Sequence, residues 1–89
     1  MSDTPESAIK FPCDFPIKIM GRSADDFDTL VLSIVQRHVG DLSEESVTVR
    51  ASGGGNYVSV TVTVVAESQH QLDQLYRELS GHERVVMVL

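Results

Sequence analysis

From Asn56 to Ala66 valines alternate with polar or amphipathic residues: Val58, Val60, Val62 and Val64 fall on one parity, Tyr57, Ser59, Thr61 and Thr63 on the other. A period of two over this length predicts a long antiparallel strand, apolar on one face and polar on the other. Asp14 to Met20 repeats the pattern, with Phe15, Ile17 and Ile19 set against Pro16, Lys18 and Met20. Pro16 is tolerable near a strand start, where its missing N–H need not break a ladder. Gly21-Arg22 is expected to end that strand. Ser46 to Ser52 sets Val47, Val49 and Ala51 against Thr48, Arg50 and Ser52, and Gly53-Gly54-Gly55-Asn56 turns this strand into the valine strand. Three successive glycines predict a mobile hairpin tip. Arg84 to Leu89 reads as a last strand, with Val85, Met87 and Leu89 on one face and Val86 and Val88 on the other.

Two stretches change to helical spacing. Phe27, Leu30, Val31, Ile34 and Val35 form one stripe, wide enough to cover a sheet. Ser23 reads as the N-cap, Asp25, Asp26 and Asp28 suit the positive end of the helix dipole, and Arg37, His38 and Gly40 suit the other end. The many β-branched residues lower the intrinsic propensity, so this helix is expected to depend on packing. After the acidic connection Asp41 to Glu45, Ser68 and Gln71 form a capping-box pair ahead of Leu72, Leu75, Tyr76 and Leu79. Asp73 and Arg77 are spaced for an i,i+4 ion pair, and Gly81 ends the helix. The order is β-α-β-β-α-β: an α+β, ferredoxin-like split βαβ. Its antiparallel sheet has two helices on one face, the other face open, and the first and third strands central. The final strand is an apolar edge, so Val86 and Val88 are expected to pack in a dimer.

Composition narrows the partners. The chain has 89 residues, enough for one domain with little spare core, so covering a further face in a homodimer would help stability. Seven basic residues stand against thirteen acidic ones, net −6, which argues against a non-specific grip on nucleic acid and against an anionic membrane. Residues 1–10 read as a flexible leader and residues 11–89 as a single domain. The first nine residues lack a basic region followed by an apolar run, so the cytoplasm is the expected location. Cys13 stands alone, without a disulfide partner or zinc spacing.

Catalytic chemistry has little to rest on. Gly53, Gly54 and Gly55 join two strands and open no helix, so they are not a phosphate loop. His38, His70 and His82 fall at helix ends and turns, where solvated or capping roles are expected, and Cys13 has no base beside it. No cofactor and no metal are expected. On the outward strand faces, Lys18, Met20, Tyr57, Ser59, Thr61 and Thr63 include one aromatic, too few for a base-stacking platform. The topology also suits a regulatory module of the ACT kind. Its strand-to-helix loop, here Gly21-Arg22-Ser23, is the ligand-binding candidate: Gly21 allows close backbone approach and the amides after Ser23 open a helix. Lys18, Met20, Arg50, Tyr57, Ser59, Thr61, Val86 and Val88 are the sheet-face or partner candidates. The alternative is a small enzyme or anion-binding protein in which Lys18, Arg22, Arg50 and Tyr57 converge on one pocket.

Phe11-Pro12, Phe15-Pro16-Ile17-Lys18-Ile19-Met20-Gly21, Arg37-His38, Gly55-Asn56-Tyr57-Val58-Ser59-Val60, Gln74-Leu75-Tyr76 with Leu79, and Val85-Val86-Met87-Val88-Leu89 carry a resemblance. Over Phe11 to Leu89 the chain resembles the YbeD-like family of small, uncharacterised bacterial cytoplasmic proteins. The resemblance implies an ACT-like α/β sandwich, similar to the regulatory domain of phosphoglycerate dehydrogenase, with no established enzymatic activity. It implies a regulatory role by analogy of fold alone. Ile19 to Ser23 lacks the Asp-x-x-Gly-like loop of many amino-acid-binding ACT domains.

Overall fold

The computed structural model describes residues 10–52 and 54–89. The expected leader therefore lies outside the described residues except for Lys10, and so does Gly53 of the hairpin tip. The elements are β1 (Cys13–Arg22), α1 (Phe27–Val39), β2 (Val47–Ala51), β3 (Tyr57–Ala66), α2 (Gln69–Ser80) and β4 (Val85–Val88). A single 3₁₀ turn, Glu44–Ser46, leads into β2. The four strands form one sheet in the order β2-β3-β1-β4, with every neighbouring pair antiparallel. This is the ferredoxin-like β-α-β-β-α-β arrangement, with β1 and β3 central.

β1 and β3 pair in unbroken register from Cys13↔Ala66 to Arg22↔Tyr57, which puts Ile17 opposite Val62 and Ile19 opposite Val60. These side chains meet Phe27, Val31, Ile34 and Val35 of α1 and Leu72, Leu75 and Leu79 of α2 in one core. All are buried, and no polar or charged residue is buried with them among the described residues. Each such apolar side chain contributes about 1.5–3 kcal/mol relative to staying in water, which offsets the weak propensity of the β-branched α1.

The strand expected to break at Gly21 continues through Arg22, because Gly21 pairs with both Val58 and Val85. The reason is packing. A Cβ at Gly21 would lie 2.5 Å from the Arg84 carbonyl oxygen and would overlap the Phe27 ring. At the same end of the sheet, in the turn beside β1's last residues, Gly55 takes φ 74°, the left-handed conformation that the β2–β3 turn requires. The Ser52 N–H donates to the Tyr57 carbonyl at 2.8 Å and closes that hairpin.

Two local expectations change. Asp26, not Ser23, precedes α1, and its side chain makes no capping hydrogen bond. It accepts from Arg84 instead, Nη2 at 2.7 Å and Nη1 at 3.1 Å from its two oxygens. Asp73 accepts from Gln69 at 3.0 Å, and no Asp73–Arg77 ion pair forms among the described residues. The α2 start matches its sequence signal, since Ser68 Oγ accepts the Gln71 N–H at 3.1 Å. Gln71 Oε1 accepts the Glu67 N–H at 2.7 Å and its Nε2 donates to the His38 carbonyl at 2.8 Å, which ties the two helices together.

The last strand departs most from simple alternation. Ile19 faces Val88 and Met20 faces Met87, but the register then shifts and Gly21 faces Val85. Val85 and Val88 therefore both pack against the core, while Val86, Met87 and Leu89 are exposed. Val88, expected on the outer face beside Val86, is an inward residue. A bulge adds one residue to the count and reverses parity across it.

Candidate functional site: the open sheet face

The helices cover one face of the sheet and leave the other open. Register places Lys18, Met20 and Arg22 of β1, Tyr57, Ser59, Thr61 and Thr63 of β3, and Thr48 and Arg50 of β2 on the open side. Met20, Ser59 and Arg50 lie in one row across three strands. Thr61 lies in the next row, between Lys18 and Thr48. Met87 and Leu89 extend this face towards β4, Met87 opposite Met20 and Leu89 hydrogen-bonded in both directions to the Lys18 backbone.

A recess of about 220 Å³ opens on this face, lined by Lys18, Met20, Arg50, Ser52, Tyr57 and Ser59, among others. Arg22 stands beside it, its guanidinium carbon 6.0 Å from the Tyr57 ring centroid, at the outer limit of a cation–π contact. Lys18, Arg50 and Tyr57 thus meet in one depression with Arg22 at its rim. None of the three cations makes an ion pair among the described residues.

The strand-to-helix loop forms a second recess of about 230 Å³, lined by Arg22, Ser23, Ala24, Glu83, Arg84 and Val86. Gly21 is not free to receive a ligand, because Phe27 and the Arg84 backbone already occupy the space above it. The contribution of Glu83 and Arg84 was not legible in the local sequence; the β1–β4 pairing brings them there. Hydrogen bonding to Arg84 holds the Asp26 carboxyl below the usual carboxylate range, and the same bond raises the Arg84 guanidinium.

The titratable cluster on the helical side is structural. Glu78 accepts from Arg37 and lies 2.7 Å from His38 Nε2, joining the end of α1 to α2. The hydrogen bond to His38, then the charge of Arg37, lower the Glu78 carboxyl. His38 is thus tied to a carboxylate rather than solvated. Among the described residues no group of three His, Cys, Asp or Glu side chains is placed to hold a metal. No helix among them is long and apolar enough to cross a membrane.

The fold defines an ACT-like module. The solution NMR structure of the ACT domain from the GTP pyrophosphokinase of Chlorobium tepidum is similar at a TM-score of 0.64 and 15% identity, over 85% of this chain and 84% of that one. A solution structure of an H. pylori protein is similar at a TM-score of 0.68 and 12% identity, over 100% and 98% of the two chains. At these identities the likeness concerns fold. Sequence goes further: the family described as protein of unknown function DUF493 matches residues 6–89, and the chain belongs to it. A UPF0250 protein of Paraburkholderia phymatum is 49% identical over the whole of both chains. One from Nitrosomonas europaea is 49% identical over 97% of this chain and 99% of its own.

Proposed function

We propose that the chain is a non-enzymatic ACT-like regulatory or interaction module of the YbeD-like kind. It works in the cytoplasm as a homodimer over residues 11–89 and engages a protein partner or a small metabolite. The carrying observation is the one-sided sheet, whose core face is filled by two helices while Tyr57, Val65, Met87 and Leu89 remain exposed on the other. For so short a chain, self-association is an effective way to cover more apolar surface. The contact falls at the β4 edge, where Val86 is 57% exposed. Val88 supports that edge from the core side.

Sedimentation at micromolar concentration tests the association. The expected species is about twice the 9.8 kDa chain mass, and a clean monomer overturns the homodimer. Val86→Asp should shift the species to monomer without changing the circular dichroism spectrum. A second reading, anion binding, is favoured by the recess that gathers Lys18, Arg50 and Tyr57.

A further inference from the structure

We infer that the β1–β3–β2 part of the open face is a binding site for a compact small-molecule dianion, either a phosphate monoester or a dicarboxylate. The inference deepens the reading of this face as a binding surface.

Charge segregation is its first support. The chain is net −6, yet the open face gathers three of its seven basic residues, Lys18, Arg22 and Arg50. Arg37 and Arg84, on the helical side and at the loop, are matched to Glu78 and Asp26. The sheet cations have no such match among the described residues. Among the described strand residues, the carboxylate on this face is Asp14, four residues from Lys18 along β1, about 13 Å at strand rise, and Glu83 lines the neighbouring loop recess with Arg22. Lys18 and Arg50 are two strand spacings and one row apart, about 12 Å between backbones, so on their long stems they can address one point between them. That separation is about one Debye length at 0.1 M salt, so the charges act on an arriving anion together.

The recess supplies the rest of the chemistry. Ser52 and Ser59 add hydroxyl donors, Tyr57 an aromatic wall and Met20 an apolar floor. A guanidinium and an ammonium beside hydroxyls suit an oxyanion, which accepts charge-assisted hydrogen bonds from all of them. The volume of about 220 Å³ is below the roughly 300–1,000 Å³ of drug-sized pockets, which selects a compact ligand. Single-stranded nucleic acid would need successive stacking aromatics, and among the described residues this face offers Tyr57 alone.

The test is a titration of the full chain at low ionic strength with inorganic phosphate and, separately, succinate, followed by amide NMR shifts. Saturable shifts centred on Met20, Arg50, Tyr57 and Ser59 are expected with at least one probe. A response to phosphate alone assigns a phosphate monoester, and a response to succinate alone a dicarboxylate. Arg50→Glu should weaken binding roughly tenfold or more. Arg77→Glu makes the same charge change on the exposed side of α2 and should leave binding unaltered. Unshifted core resonances in both variants verify the fold. No saturable shift, shifts centred on the 22–24 loop, or equal weakening by the two substitutions overturns the site. So does binding of a short oligonucleotide to this face when neither small anion binds. Sedimentation of the same samples separates the claims: a monomer that binds phosphate or succinate retires the homodimer and keeps the site.

Discussion

The two faces of β3 are built from one stretch of chain and behave as two different surfaces. Val60, Val62, Val64 and Ala66 are fully buried against α1 and α2, whereas Tyr57, Thr63 and Val65, interleaved with them, are exposed. Backbone geometry and hydrogen bonding are common to both sets. What differs is the neighbour: a helix stripe on one side, and cations, hydroxyls and water on the other. Stability therefore concentrates on one parity of the strand, and the freedom to bind on the other.

The sharpest way to break this comparison is to put the same charge on both parities. Val62→Asp buries a carboxylate without a partner and is expected to cost more than about 4 kcal/mol, enough to unfold a small domain. Thr63→Asp, one residue along, should stay within about 0.5 kcal/mol by urea denaturation. Equal effects would mean that the open face contributes to the core as much as the valine face does.

Gly21→Ala asks how closely the covered face is packed at the loop end of β1. The added methyl meets the Arg84 carbonyl and the Phe27 ring, so a loss of about 1–3 kcal/mol is expected in the same measurement. A neutral result would show that β4 can move away from β1, leaving room at Gly21 after all.

Glu78→Gln gives the smallest effect and tests the polar clasp between the helices. The clasp is partly exposed, so about 1 kcal/mol or less is expected at neutral pH. Because His38 and Arg37 lower the folded carboxyl, its stabilisation is present above the usual glutamate value of 4.5 and is lost as the pH falls through the lowered folded value. Wild type and variant should therefore converge on acidification below 4.5. A gap that widens there would mean that the cluster does not hold Glu78 in its charged form.

Legibility followed the range of the interaction. The Ser68–Gln71 cap lies within one helical turn and could be read from the sequence, as could the stripe of α1 and the alternation of β3. Asp26 was readable as a helix-start acid, but its bond to Arg84 crosses 58 residues, and no local pattern announces it. The open-face cluster was half legible. Parity put Lys18 and Arg50 outward, but Arg22 was read as the end of the strand, and the convergence beside Tyr57 needed the register that carries β1 through Arg22 and aligns Met20, Ser59 and Arg50.

Hydrophobic periodicity by itself determined the element order and the covered parity of β1 and β3, because side-chain direction repeats every two residues in a strand and every 3.6 in a helix. Tertiary pairing alone decided the rest. Pairing with Ile19 turned Val88 inward, the shift between Met20 and Gly21 left Val86 exposed, and the β2–β3–β1 register gathered three cations on an acidic protein. Both depend on which residue of one strand meets which residue of the next, a choice settled by the whole core and its close contacts rather than by any single segment.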